Sequence, residues 1–512
     1  MSDSATQQIT RALADGKFVE AEQICQQILS RDPGSAEALR LLGSIYGQTR
    51  RTAQAVEAFQ RCVALHPDDG AAHMMLGISL QALNQTDAAI SHLVRAVELM
   101  PHSSQTHYNL GKMLRDQKRH EEAAEQFQQS LTLQPGFPPA LNNLANTLRD
   151  LGRSDEAIPL YKQSLAARPN HAITLHNLGL AYRDLQMPDD AMRCFDTALA
   201  YDSAHHECRM SRAMLLIQQG HLLPGWREYE SRFDVPRAKP RRDFGPAWDG
   251  QNPEGQTLLL YAEQGFGDAI QFSRYATLLA EQHATVIVHC QPELRELFQS
   301  LRGVDQILSD DDELPKFDAS RGMMSMPLVF GTTLETVPNE MPYLRADQAK
   351  VRRWRRIIEP GGIRVGLAWA GAAGYGNDRQ RSLTLEQLSP ILRTPDMQFF
   401  SLQKGDATGQ IAQLPEALRP LDLSAELNTF ADTAAAIENL DLVISVDTAV
   451  AHLAGALDKP AWTMIPFAPD WRWMNDREDT PWYPTMRLFR QRERGKWGDV
   501  IGRIAEVLKT FA

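Results

Sequence analysis

A repeat of 34 residues is the feature that most constrains what this chain can fold into. Leu42-Gly43, Leu76-Gly77, Leu110-Gly111, Leu144-Ala145 and Leu178-Gly179 recur in step, and so do Ala55, Ala89, Ala123, Ala157 and Ala191. Each of these alanines is followed four residues later by a larger side chain: Phe59, Leu93, Phe127, Tyr161 or Phe195. Pro67, Pro101, Pro135 and Pro169 close successive units. The spacing predicts two helices per unit. Small Gly and Ala let helices approach closely, the larger side chain fills the gap between units, and proline stops the second helix because it has no N–H to donate. A single unit cannot bury its apolar face alone, so the units must stack into a solenoid. Five run from about residue 36 to 205. A degenerate one precedes them, with Ala21 and Pro33 in register, and another follows, where Gly220, Trp226 and Tyr229 fit in part.

These positions resemble the tetratricopeptide repeat. The resemblance implies a repeat domain over 1–232 whose curved face binds protein or peptide. Asn109, Asn143 and Asn177 occupy the same place in three successive units, just before the signature leucine. An amide both donates and accepts, so a ladder of asparagines holds an extended backbone without reading its sequence. The alternative is an exposed helical position that merely tolerates Asn.

The periodicity changes after a Pro-, Arg- and Gly-rich stretch, read as a linker over 233–255 with Arg237, Lys239, Arg241 and Arg242 as a solvated cluster. Short apolar runs then alternate with helical patterns: 257–263, 284–290 and the triplet QIL, and again 364–371, 397–403, 441–446 and AWTMIP. The first run leads through Gly265-Phe266-Gly267-Asp268 into a predicted helix ending at Leu279, and another helix is expected over 384–392. Such alternation predicts parallel, doubly wound sheets in two Rossmann-like domains, 256–350 and 351–512, with a cleft between them. The fold class is therefore an α-solenoid followed by an α/β pair, and ligands belong at the carboxyl ends of the strands.

Several residues fall at those ends. Asp447 and Thr448 follow the strand DLVISV and open the helix carrying His452; amide groups and the helix dipole there favour a phosphate. The competing reading is an ordinary Asp–Thr cap with a surface histidine. Lys404 stands at another strand end and offers a point charge to a diphosphate, or is a turn lysine. The loop after 371 carries Arg379 and Arg381, with Ser382 at its end, which either clamp phosphates or are solvated. Gly267-Asp268 lacks the third glycine of a dinucleotide fingerprint, since Ile270 stands there. A carboxylate in that place repels a pyrophosphate but suits a base facing the cleft, unless Asp268 is only a helix-end charge.

Other chemistries lack their residues. No Walker A, HExxH or GxSxG sequence occurs. Asp310-Asp311-Asp312 has the look of an acidic metal motif but sits before Pro315 in what reads as a solvated turn. A net charge of -11 opposes nucleic-acid coating. Cys25, Cys62, Cys194, Cys208 and Cys290 show no paired spacing, which fits a reducing compartment. With no leader pattern at the N-terminus and no long apolar run, a cytoplasmic location without membrane insertion is expected.

The region 256–508 resembles the family 9 glycosyltransferases, the heptosyltransferase group, through Asp447-Thr448-Ala449-Val450-Ala451-His452 and through Gly267-Asp268. That resemblance implies the GT-B fold of two facing Rossmann domains, donor binding at Asp447 to His452, and Asp268 as general base. The organisation also resembles the O-linked N-acetylglucosamine transferases, which implies an acceptor polypeptide on the asparagine ladder and a lysine such as Lys404 on the donor diphosphate. The expectation is an inverting, metal-independent transferase. It would move a sugar from a nucleotide-sugar to a Ser or Thr of a protein such as flagellin or another bacterial surface protein. Asp268 and Lys404 are the catalytic candidates, and Gly267, Arg379, Arg381 and Ser382 join Lys404, Asp447, Thr448 and His452 around the donor. No cofactor and no metal are expected. A repeat scaffold with a vestigial nucleotide site, or a glycan or heptose transferase whose repeats serve assembly, remains the alternative. Homo-oligomerisation is left open.

Overall fold

The computed structural model describes residues 3–235, 244–359, 361–371 and 378–511. The chain divides into two compact units, Met1–Ala204 and His205–Ala512. The cluster Arg237 to Arg242 lies outside the described residues. Among those described, no helix is long and apolar enough to cross a membrane.

The first unit contains twelve described helices in antiparallel pairs, from Asp3–Ala14 to Pro188–Tyr201. The repeat signature explains the pairing atom by atom. A Cβ built on Gly43 would lie 2.6 Å from the Phe59 ring, one on Gly111 2.9 Å from Phe127, and one on Gly179 2.5 Å from Phe195. The larger side chain therefore seats on the glycine of its own unit, rather than only filling space between units. The helices end at Leu65, Leu99, Leu133 and Ala167, two residues before the prolines.

The expected repeat domain over 1–232 spans the division between the two units, since the first ends at Ala204. The helices His206–Gln218 and Leu222–Tyr229 belong to the second unit, and their Ile217, Trp226 and Tyr229 are part of its core.

The second unit holds two parallel sheets. The first comprises β1 (Thr257–Tyr261), β2 (Thr285–His289), β3 (Gln306–Leu308) and β4 (Ala319–Gly322) in the order β3-β2-β1-β4. The second comprises β5 (Ile363–Ala368), β6 (Met397–Ser401), β7 (Leu421–Asp422), β8 (Leu442–Val446), β9 (Ala461–Ile465) and β10 (Met486–Arg490) in the order β10-β9-β8-β5-β6-β7. Central strands are buried on both faces, which is why β1 and β8 read as near-continuous apolar runs. Register places Leu259 between Ile287 and Ser320, and Gly366 between Phe400 and Val443.

Two expected helices differ. The one after Gly267-Asp268 is two, Phe266–Phe272 and Arg274–Glu281, divided at Ser273, whose hydroxyl donates to the Ile270 carbonyl. The one over 384–392 is a 3-10 turn at Leu385–Leu388 and a single α turn at Ser389–Leu392, because Pro390 has no N–H for a continuous ladder.

Candidate functional site

The carboxyl end of β8 sets the centre of the site. The chain leaves the sheet through Asp447 and Thr448 and enters the helix Ala449–Ala456. Thr448 is the N-cap residue in extended conformation, but its hydroxyl makes no cap; it lies 3.0 Å from Ser445 Oγ. Ala449 and Val450, the first residues of the helix, line a cleft of about 910 Å³ together with Thr448. Asp447 is buried. Burial, reinforced by the Asp470 carboxylate and opposed by Arg381, pushes its carboxyl up to about 6.

His452 is 4% exposed, so it is not a surface histidine. Its ring stacks on Trp473 with centroids 5.1 Å apart, and Nδ1 lies 2.9 Å from the Tyr483 hydroxyl. Burial first, and then the charges of Arg472, Arg274 and Arg381, hold its pKa well below the ordinary value, so the ring is neutral at pH 7.

The Gly267-Asp268 turn comes from the other sheet and meets this helix directly. A Cβ on Gly267 would lie 2.9 Å from His452 Cδ2 and 3.7 Å from Ala449 Cα. Glycine is what allows the two motifs to touch. Asp268 Oδ2 accepts the Gly265 N–H at 2.8 Å, tying the start of its helix together from the third position. Its Oδ1 accepts from Arg472 Nη2, an ion pair that crosses from one sheet's side to the other's. Asp268 is thus a helix-end charge and a cleft residue at once.

Arg472 is the group the sequence reading missed. Its Nη1 donates to Asp470 at 2.7 Å and its Nε to Gln271 at 3.0 Å, while the guanidinium lies 4.0 Å over the Trp471 ring. Trp226 braces that ring edge-on at 5.4 Å, so the last helix pair supports the cleft. Burial alone would lower the Arg472 pKa, but Asp268 and Asp470 carry it above its usual value. The available signal was an arginine set between two large apolar residues, Trp471 and Trp473.

Lys404 follows β6. The buried Gln403 fixes that corner: its Oε1 accepts the Trp369 and Ala370 N–H groups at 3.0 and 2.9 Å, joining the ends of β5 and β6. The exposed Lys404 side chain lines the cleft, with Nζ donating to the Ser424 carbonyl at 2.8 Å. Arg381 Nη1 donates to the Asp447 carbonyl at 2.9 Å. Ser382 does not line the cleft. It closes the loop, accepting the Gly371 N–H at 2.9 Å and donating to Asp378 at 2.8 Å. The Arg379 side chain lies outside the described residues. One cleft therefore gathers Gly267, Asp268, Arg381, Lys404, Asp447, Thr448 and His452. Asp312 instead accepts the Ser309 N–H at 2.8 Å and pairs with Arg295, which makes 309–312 a closed turn.

In the first unit a groove of about 260 Å³ is lined by Asn143 and Asn177 with Asn142, Asn146 and Arg168, but not by Asn109. Asn109 accepts from Gln105 at 3.2 Å. Asn143 is engaged as well, accepting from Arg115 at 2.9 Å and donating to the Pro139 carbonyl at 2.8 Å.

Residues 12–77, 74–138 and 138–204 match tetratricopeptide repeat families, and residues 398–465 match Glycosyltransferase family 9 (heptosyltransferase). The chain therefore joins segments that match tetratricopeptide repeats to one that matches family 9 glycosyltransferases. That segment contains Lys404 and the run from Asp447 to His452; Gly267 and Asp268 lie before it. Protein FlbA of Caulobacter vibrioides is 29% identical over 340 residues, which cover 59% of this chain and 55% of FlbA, about half its length. Among solved structures, MamA is similar at 26% identity with a TM-score of 0.29, over 30% of this chain and 91% of that one. YrrB, a TPR protein with an unusual peptide-binding site, is 16% identical with a TM-score of 0.34, over 37% and 97% of the two chains. PilW, a type IV pilus biogenesis factor, is 21% identical with a TM-score of 0.37, over 40% and 96%.

Proposed function

We propose that the second unit transfers a sugar from a nucleoside-diphosphate donor to a hydroxyl of a protein acceptor, with inversion and without a metal ion, and that the repeats present the acceptor. The observation that carries this is the contact of Gly267-Asp268 with the helix Ala449–Ala456 in one cleft that also holds Lys404 and Arg472. The helix start, Thr448 and Lys404 receive the diphosphate, and positive charge there stabilises the departing anion in the role a metal would otherwise fill. A serine or threonine hydroxyl is a weak nucleophile at neutral pH and needs a base. Asp268 takes its proton as the oxygen bonds to the anomeric carbon; the bond from that carbon to the diphosphate breaks, and the diphosphate leaves with the electron pair. Attack from the side opposite the leaving group inverts the anomeric centre. The groove at Asn143 and Asn177 is the proposed seat of the acceptor chain, with flagellin or another bacterial surface protein as the first candidate.

The test is incubation with ADP-, GDP-, UDP- and dTDP-linked sugars, purified flagellin and EDTA. Diphosphate release together with a one-sugar mass increase of the acceptor is expected. Transfer that stops in EDTA and returns with Mg²⁺ or Mn²⁺ overturns metal independence. Failure of every donor to react overturns the enzyme reading in favour of a scaffold.

A further inference from the structure

Six carboxylates and three cationic side chains line the cleft among the described residues, a hostile surface for a diphosphate unless the cations can turn to it. All three already have partners. Lys404 donates to the Ser424 carbonyl, and Arg381 to the Asp447 carbonyl and to Asp378. Arg472 differs from both, because one of its acceptors is Asp268, the carboxylate proposed as the base. With Oδ1 held by a guanidinium and Oδ2 by the Gly265 N–H, Asp268 is poorly placed to accept a further proton from a hydroxyl.

We infer that Arg472 exchanges partners, giving up Asp268 for the donor's diphosphate, so that the donor filling the cleft also uncovers the base. This rests on the glycosyltransferase reading above. The geometry separates the arginine's contacts by role. Asp470 on Nη1, Gln271 on Nε and the Trp471 ring hold the guanidinium in place, and Asp470 is itself fixed by accepting the Arg472 backbone N–H at 3.1 Å. Only the Nη2 contact reaches Asp268, and a planar fork can change one acceptor while keeping the others. A diphosphate oxygen is a charged acceptor able to replace the carboxylate. After the exchange the Gly265 N–H still orients Oδ2, and Oδ1 is free to receive the hydroxyl proton.

Exchange makes Asp268 a competitor of the donor, which fixes the sign of a measurement. Replacing a base that only repels the diphosphate through space tightens binding by the same factor with or without Arg472. Asp268 as competitor for that arginine predicts tighter binding that depends on Arg472. Calorimetric titration of the full-length protein with ADP, GDP and UDP tests this. Any of the three that binds the wild type should bind Asp268→Asn and Asp268→Ala at least about 5-fold more tightly. Arg472→Gln should bind it more than about tenfold more weakly. The gain from Asp268→Asn should vanish on the Arg472→Gln background, since the coupling runs through that pair. If Arg472→Gln does not fold, Arg472→Met, which keeps the side-chain length without the guanidinium, takes its place in the cycle. Unchanged or weaker affinity in both, or a gain that persists without Arg472, overturns the exchange and leaves the donor site standing. Failure of all three nucleotides to bind the wild type overturns the donor reading itself, and the exchange with it.

Discussion

Replacing Asp447 with Asn should stabilise the second unit at neutral pH, in an amount that depends on pH in a defined way. Asp447 is buried, and burial followed by Asp470 raises its carboxyl from 3.8 to about 6. The gap of about 2 pH units, at roughly 1.36 kcal/mol per unit, corresponds to about 3 kcal/mol. The sign follows from the folded value lying above the unfolded one. The favourable contribution is complete below the unfolded value and is lost as pH rises through about 6. The amide of Asp447→Asn carries no such titration. The stability of the variant relative to wild type should therefore grow by about 2 kcal/mol between pH 4 and pH 7.5, the rest of the change lying below pH 4. All nine tryptophans lie between Trp226 and Trp497, so their fluorescence in a urea titration follows the second unit and not the repeats. His452 titrates in both proteins and largely cancels in the difference. A difference that is flat across that range, or that shrinks as pH rises, would refute the reasoning.

Gly267→Ala should destabilise the same fluorescence-monitored transition by about 1–3 kcal/mol, because His452 is held between Trp473 and Tyr483 and cannot move aside for a Cβ 2.9 Å from its ring. An unchanged urea midpoint would show that the two motifs are not packed together. The pair Lys404→Ala and Thr448→Val should weaken nucleoside-diphosphate binding by more than about tenfold in calorimetry, and equal affinity counts against the proposed diphosphate site. Asn143→Ala with Asn177→Ala should reduce acceptor affinity by about 30-fold, at about 1 kcal/mol per lost backbone contact, while donor hydrolysis continues. Equal acceptor kinetics would remove the groove from the account.

The repeats were legible because each unit repeats one packing solution, Gly43 on Phe59 and Gly179 on Phe195, and a period repeated in step is hard to mistake. The central strands were legible because burial on both faces leaves near-continuous apolar runs. β4 was not, since Ala319-Ser320-Arg321-Gly322 has neither alternation nor an apolar run. Its position is set by pairing with β1 and by Ser320 exchanging backbone hydrogen bonds with Pro246 and Trp248. β10 was missed for a related reason: Met486–Arg490 carries Arg487 and Arg490 in a strand at the sheet edge. In the site, residues at strand ends could be named one by one, because parallel topology directs them to one edge. What no spacing encodes is that Arg472, 204 residues from Asp268, donates to it. Nor could the sequence say that Asn143 also accepts from Arg115 and donates to the Pro139 carbonyl.

The most direct test of the central claim is the turnover of Asp268→Asn measured beside its nucleotide affinity. With a nucleotide-sugar and acceptor that the wild type uses, in EDTA, the account predicts a fall in kcat of about 10²–10⁴-fold. Diphosphate affinity should be no weaker than wild type. Near-normal kcat in Asp268→Asn would contradict the account and remove Asp268 as the base.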